Sequence, residues 1–223
     1  MWTYDEMRKK AIEVGKLIAI AEDFKDGFLI DKENDEAFHL LCLYFTNDPK
    51  FEDYGLKDAN GNIVKKYSLK KGIWLQSSER GIGKSTLLKC FMNNKRCCFG
   101  YKSTHELAAA FQKNGFGAID FFMSTIPQPA TASNFYQSEA GFLYDELFGE
   151  KRVNAHGTQL LISEYIINSL YDFSNNKKGQ LWKFHCTSNG SGEDIEKISG
   201  VTYRSRMPDM FNLIQMGGKN RRL

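Results

Sequence analysis

The sequence predicts an α/β protein, a central parallel sheet with helices on both faces, preceded by a small helical region. Three observations carry that reading. From Lys71 onward apolar, strand-like runs alternate with helical patterns, as strands joined by crossover helices do. The first run, Gly72-Ile73-Trp74-Leu75, passes through a glycine-bearing turn directly into a helical pattern, Leu87-Leu88-Lys89-Cys90-Phe91. A later run, Gly141 to Tyr144, ends in two adjacent acids, Asp145 and Glu146.

In chain order, Thr3-Tyr4-Asp5-Glu6 reads as a capping box, with Met7, Ala11, Val14, Leu17, Ile18 and Ala21 at helical spacing behind it. A second helix is predicted from Glu36 to Phe45, so apolar that it must be buried, and Asn47-Asp48-Pro49 stops it. Residues 50–70 are charged and turn-rich, with a tight turn at Asn60-Gly61. The boundary is placed there: 1–70 as N-terminal helical region and linker, 71–223 as the α/β domain. Within the latter the pattern predicts a strand at Gly72–Gln76, a helix from Ser85 to about Met92 and a strand at Arg96–Tyr101. A capping box, Ser103-Thr104-His105-Glu106, opens a helix that Gly115-Phe116-Gly117 ends. Residues 120–138 read as a long loop. Then come a strand at Gly141–Tyr144, a helix at Thr158–Phe173, a strand at Gln180–Cys186, a short helix after Ser191 and a strand at Phe211–Met216.

A chain of 223 residues with 13% aromatics can bury a sizeable core. It contains no run of about eighteen apolar residues to span a membrane, and its polar, acidic start does not read as a signal peptide. The five cysteines (Cys42, Cys90, Cys97, Cys98, Cys186) form no C-x-x-C pair and suit reduced thiols. Cytoplasmic location is the expectation. The four histidines (His39, His105, His156, His185) lack metal spacing. The net charge of +3 divides into −3 over residues 1–70 and +6 over the remainder, compatible with a phosphate-rich ligand in the second part.

The chemistry concentrates in Ser78-Glu79-Arg80-Gly81-Ile82-Gly83-Lys84-Ser85-Thr86. Strand, glycine turn, Gly-Lys-Ser and helix form the layout of a phosphate-binding loop: backbone N–H groups wrap a β-phosphate, Lys84 reaches the β- and γ-phosphates, and the Ser85 hydroxyl ligates Mg²⁺. Ser78 stands where the motif has its first glycine, at a cost of about 1 kcal/mol if that position needs a left-handed backbone. A phosphate loop needs a metal-holding acid on a nearby strand. Asp145 supplies it, and Glu146 beside it is placed to orient and deprotonate attacking water. Asn189, at the tip of the strand ending Thr187-Ser188-Asn189, can bond the same water and the γ-phosphate. Arg204-Ser205-Arg206-Met207 and Gly217-Gly218-Lys219-Asn220-Arg221-Arg222 offer arginines for γ-phosphate charge.

The ordered set of Walker A loop, Asp-Glu, Thr-Ser-Asn, Arg-Ser-Arg-Met and Gly-x-Asn-Arg-Arg resembles the DnaC/IstB-like group of AAA+ ATPases, the helicase loaders and transposition helpers. The Asp145-Glu146-Leu147-Phe148-Gly149-Glu150 stretch and the run from Arg204 to Ile214 are similar to members from phages or mobile elements of Bacteroidetes-type hosts. The resemblance covers residues 70–222 and implies a three-layer αβα P-loop fold without a C-terminal lid. It implies ATP and Mg²⁺ as cofactors, Ser85 and Asp145 on the metal, Glu146 in catalysis and Asn189 as first sensor. Arg206 falls at the trans-acting arginine finger, and Arg222 best matches the second-sensor arginine, with Arg221 a close rival. Thr202 departs from the family, which often has arginine there.

What the resemblance implies about function is an Mg²⁺-dependent ATPase that delivers a replicative DNA helicase. It would grip single-stranded DNA and assemble head-to-tail as a homo-oligomeric ring or spiral when ATP-bound. Lys102, Lys113, Lys151, Arg152 and Phe121-Phe122 are candidates for the DNA contact, and the N-terminal helices for the helicase contact. An IstB-like transposition helper shares the same chemistry. A nucleotide-dependent adaptor with little turnover is a further reading, and a P-loop small-molecule kinase ranks below these.

Overall fold

Two helices are built before the sheet begins. In the computed structural model, which describes residues 1–117, 119, 141–155, 157–176 and 181–221, helix α1 spans Tyr4–Ala21. The Thr3 hydroxyl accepts from the Glu6 N–H, and the Glu6 carboxylate reaches back to the Thr3 N–H, so the capping box forms as predicted. Helix α2 (Asp35–Phe45) buries eight of its eleven residues, because it lies across one face of the sheet. Its Phe45 ring stacks on Phe91 and Phe99, and the Tyr44 and Phe45 rings meet the edge of His185. Asn47 at φ 58° and a 3₁₀ turn at Pro49–Asp53 end this stretch. A short antiparallel hairpin, β1 (Gly55–Lys57) and β2 (Ile63–Lys66), turns at Gly61, φ 83°.

The sheet has five strands, all parallel: β3 (Gly72–Ser77), β4 (Phe99–Ser103), β5 (Gly141–Leu147), β8 (Phe184–Asn189) and β9 (Phe211–Gln215), in the spatial order β4-β5-β8-β3-β9. Alternation along each strand splits the apolar residues into two cores. Ile73, Leu75, Leu143 and Ile214 face α1, α2 and helix α3 (Lys84–Lys89). Trp74, Tyr144, Cys186 and Phe211 face the other layer, made by α4 (Thr104–Asn114), α5 (Ile162–Asn176), α6 (Gly192–Ser199) and α7 (Val201–Met210). Residues of the first seventy thus bury side chains in the same cluster as the sheet.

Three expectations are corrected, and one segment left unassigned is placed. Thr158 does not open a helix: Thr158–Leu160 is strand β7, paired antiparallel with β6 (Val153–Ala155) beside Gly157 at φ 75°, and the helix starts at Ile162. The strand expected from Arg96 starts at Phe99, because the Asn94 side chain ties residues 94–97 into a turn, accepting from the Arg96 and Cys97 N–H groups and donating to the Cys97 carbonyl. The strand expected from Gln180 starts at Phe184, after a 3₁₀ turn at Leu181–Lys183. Arg204-Ser205-Arg206-Met207 lies within α7, which the sequence disguised with Pro208 inside it and Gly200 before it. The expected loop 120–138 with Phe121-Phe122, together with His156 and Arg222, falls outside the described residues. No helix among the described residues is long and apolar enough to cross a membrane.

Candidate functional site

Parallel strands deliver their carboxyl ends to one edge, and there β3, β5 and β8 bring the predicted residues together. The register sets Ser77 opposite Asn189 and Ser103 opposite Asp145. A crevice outside the strand ends, where neighbouring connections diverge, is where open α/β sheets bind ligands. Here it is a cleft of about 560 Å³ lined by residues 80–87, Tyr101, Asp145, Glu146, Thr187 and Asn189, and on its other side by the segment between α1 and α2 and by Lys219–Arg221.

The loop after β3 has the backbone its motif demands. Gly81 sits at φ 72° and Gly83 at φ 94°, conformations that side chains on Cβ disfavour. Ser78 is not among the described residues with positive φ, so the cost attached to serine there does not arise. Ser78 and Glu79 are exposed and stand outside the lining of the cleft. Helices α1, α4 and α6 open on Thr3, Ser103 and Ser191 with full capping boxes, but α3 opens on Gly83 with no side-chain cap. Its first-turn N–H groups are therefore left without a side-chain acceptor. Lys84 is buried, and its Nζ donates to the Glu79 carbonyl at 2.8 Å.

The acid pair separates into two environments. Asp145 is 5% exposed and accepts three hydroxyls: Ser85 at 2.6 Å and Thr187 at 2.5 Å on Oδ1, Tyr101 at 2.9 Å on Oδ2. Burial first, and then the Asp145 charge, push the Tyr101 phenol well above its ordinary range, so it is a fixed donor. Glu146 lies at a break in the β5–β8 register, with φ 59°. A bulge re-aims a side chain, and here it lifts the Glu146 carboxylate out to 40% exposure. Its backbone is clamped meanwhile. The Glu146 N–H donates to Thr187 Oγ1 at 2.9 Å, and its carbonyl accepts from Thr104 Oγ1 at 2.8 Å and the Gly149 N–H at 2.9 Å. A left-handed backbone at a non-glycine residue costs of order 1 kcal/mol and persists only where neighbours impose it. His105 Nε2 lies 3.5 Å from Glu146 Oε2.

The oxygen donors present fit Mg²⁺. One hydroxyl and one carboxylate within hydrogen-bond distance suit an ion that keeps much of its water shell and shares phosphate oxygens. Asn189 lines the cleft at the end of β8. Arg206 does not line it. Its guanidinium lies 4.5 Å from the centre of the Tyr171 ring and hydrogen-bonds Asn168 Oδ1 on α5. Arg221 does line it, with Nη2 on both oxygens of Asp31 at 2.9 and 3.1 Å. Of the proposed DNA contacts, Arg152 pairs with Glu164 at 2.6 Å.

Sequence reasoning missed Tyr101, Thr187 as a partner of both acids, and the α1–α2 segment. Thr187 had a signal, since it precedes Ser188-Asn189 at a strand end facing the acid strand. The α1–α2 segment had none.

No family model and no curated protein matches the chain. Among solved structures it is similar to a DnaC helicase loader (15% identity, TM-score 0.49, covering 87% of this chain and 96% of that one). It is also similar to a DNA replication initiation factor (16%, TM-score 0.51, 86% and 48%) and to AMPPCP-bound DnaA from Aquifex aeolicus (18%, TM-score 0.49, 88% and 51%). The chain spans about half the length of the last two. At such identities the likeness is one of fold. The chain is a three-layer α/β protein, with the glycine loop after β3, the acid pair and Asn189 at the carboxyl edge of one parallel sheet.

Proposed function

We propose that the protein is an Mg²⁺-dependent ATPase acting in DNA replication as a loader of the replicative helicase. The observation that carries the ATPase reading is the 2.6 Å hydrogen bond from Ser85 to Asp145, which joins the phosphate loop to the acid strand across sixty residues of chain. The loader reading rests on the ordered motifs that resemble DnaC-type proteins.

Lys84 and the loop N–H groups bind the β- and γ-phosphates. Ser85 and Asp145 would hold Mg²⁺, which would supply positive charge against the phosphates. Glu146, raised into the cleft by the bulge, takes the proton of the attacking water. Asn189 orients that water. Arg206 packs on α5 and does not line its own cleft; on the resemblance to DnaC-type proteins it would act on the nucleotide of the next subunit in a head-to-tail assembly. Single-stranded DNA and a replicative helicase are the proposed partners.

The test measures ATP hydrolysis with and without Mg²⁺ and single-stranded DNA, in wild type, Lys84→Ala and Glu146→Gln. Expected are loss of binding in Lys84→Ala and retained binding without turnover in Glu146→Gln. Wild-type turnover in Glu146→Gln refutes the catalytic assignment. Capture of a replicative helicase supports loading; capture of a transposase instead assigns the chain to transposition.

A further inference from the structure

The wall of the cleft opposite the acid pair is built by two segments far apart in sequence. One is the connection between α1 and α2, whose Phe24, Leu29 and Asp31 line the cleft; the other is Lys219–Arg221. The second lies directly on the phosphate loop. The Arg221 N–H donates to the Gly81 carbonyl at 3.0 Å. A Cβ at Gly81 would stand 2.2 Å from Asn220 Oδ1, so a larger residue there would displace the Asn220 side chain, besides being strained at this positive φ.

The two segments are joined by acids of the first. Arg221 Nη2 is held by both oxygens of Asp31, and the Lys219 N–H donates to Glu33 Oε2 at 3.3 Å. Asp31 is itself fixed. Its Oδ1 accepts the Glu33 N–H at 2.9 Å, its carbonyl accepts the Asn34 and Asp35 N–H groups, and its own N–H donates to Asn34 Oδ1. Burial would raise its pKa, but the Glu33 N–H and the Arg221 charge outweigh that and keep the carboxyl below its ordinary value. Meanwhile Arg221 Nε is buried with no hydrogen-bond partner, so one donor of a guanidinium at the phosphate loop remains unspent.

We propose that Asp31 is a positioning residue of the nucleotide site: its grip on Arg221 holds the segment 217–221 against the phosphate loop, closing the side of the cleft through which nucleotide leaves. This rests on the nucleotide-site reading above. The segment between α1 and α2 thereby acquires a direct connection to nucleotide occupancy, carried mainly by the Asp31–Arg221 pair, beside the Lys219–Glu33 hydrogen bond, rather than by the sheet.

The pair is partly exposed, 30% for the Arg221 side chain and 42% for Asp31, so it is open to screening by salt. Its loss is expected to change a rate about fivefold while leaving the fold intact. The experiment follows release of a fluorescent ATP analogue and a fluorescent ADP analogue by stopped flow, in wild type, Asp31→Asn, Arg221→Ala and the double variant. Release is expected to be about fivefold faster in each single variant and no faster in the double. Added salt should speed release from wild type but not from Asp31→Asn. Thermal unfolding without nucleotide should be lowered only slightly in Asp31→Asn, as expected for an exposed pair, which separates positioning from a general loss of structure. Release from Asp31→Asn at the wild-type rate, or single-variant effects that multiply in the double, overturns the proposal alone. Absence of analogue binding to wild type, or equal binding by Lys84→Ala, overturns the nucleotide-site reading and this proposal with it.

Discussion

Two aspartates face the same cleft and are held by opposite means. Asp145, on the floor, is 5% exposed and takes three neutral hydroxyls from three separate elements, α3, β4 and β8. Asp31, at the mouth, is 42% exposed and takes one arginine and the Glu33 N–H. A buried carboxylate with a full set of donors is rigid, because each lost partner leaves a desolvated acceptor. An exposed ion pair is exchangeable, since water and salt replace either partner cheaply. Preorganisation sits where charge would develop during phosphoryl transfer; looseness sits where the ligand would enter and leave.

The largest effect should come from emptying the floor of its cation. Lys84→Ala is expected to weaken ATP binding at least about hundredfold, read by equilibrium titration of a fluorescent analogue; the Asp31→Asn variant should change affinity far less. Affinities that fall equally in the two would erase the distinction between floor and mouth. Next, Glu146→Gln is expected to lower turnover by about 10²–10⁴ with binding preserved, the range general-base loss produces. A bound, unhydrolysed triphosphate in this variant would place Glu146 in the chemical step rather than in ligand affinity.

A smaller effect sharpens the floor itself. Thr187 donates to Asp145 Oδ1 and accepts from the Glu146 N–H, so it couples the buried acid to the raised one. Thr187→Val leaves both groups short of a partner, and hydrogen bonds to charged groups contribute about 1.5–3 kcal/mol. Turnover should fall by about tenfold or more, with a higher Mg²⁺ concentration needed for half-maximal activity, and Thr187→Ser should restore most of it. Equal activity in Thr187→Val would mean that Asp145 needs only Ser85 and Tyr101.

How much of this was legible follows from sequence distance. The glycine loop was readable because strand, turn and helix follow one another without interruption from Gly72 to Lys89, and Gly81 and Gly83 fall where the turn needs positive φ. The capping boxes at Thr3 and Ser103 were readable for the same reason, since both partners lie within three residues, and a third at Ser191 was seen only as the start of a short helix. Asp145 and Glu146 were visible as an adjacent pair, but the bulge that separates their environments depends on how β5 meets β8. Tyr101 became a partner of Asp145 only through the β4–β5 register. Asp31 and Arg221 stand 190 residues apart, beyond any local pattern. The misplaced helix start at Thr158 has another cause: Thr-Gln-Leu satisfies either period, and the hairpin partner Val153–Ala155 decided it.

The same strand that ends in Thr187 and Asn189 carries a titratable group two residues earlier, and it predicts how the floor fails in acid. His185 is fully buried among Tyr44, Phe45 and Phe99. Its Nδ1 accepts the Ile73 N–H at 3.3 Å, while Nε2 has no partner. Burial first, and then the Arg96 charge, lower its pKa to about 3, against about 6.5 in an unfolded chain. The unfolded state therefore binds a proton that the folded state refuses. Stability is complete above about pH 6.5 and declines as pH falls toward 3, by about 2 kcal/mol between pH 7 and pH 5 from this group. Urea midpoints measured across that interval should decline in wild type and decline less in His185→Phe, which fills the aromatic cage without a titrating nitrogen but removes the Ile73 acceptor. Parallel declines in the two proteins would assign the acid sensitivity to carboxylates, Asp31 among them, and so move it from beneath the floor of the cleft to its mouth.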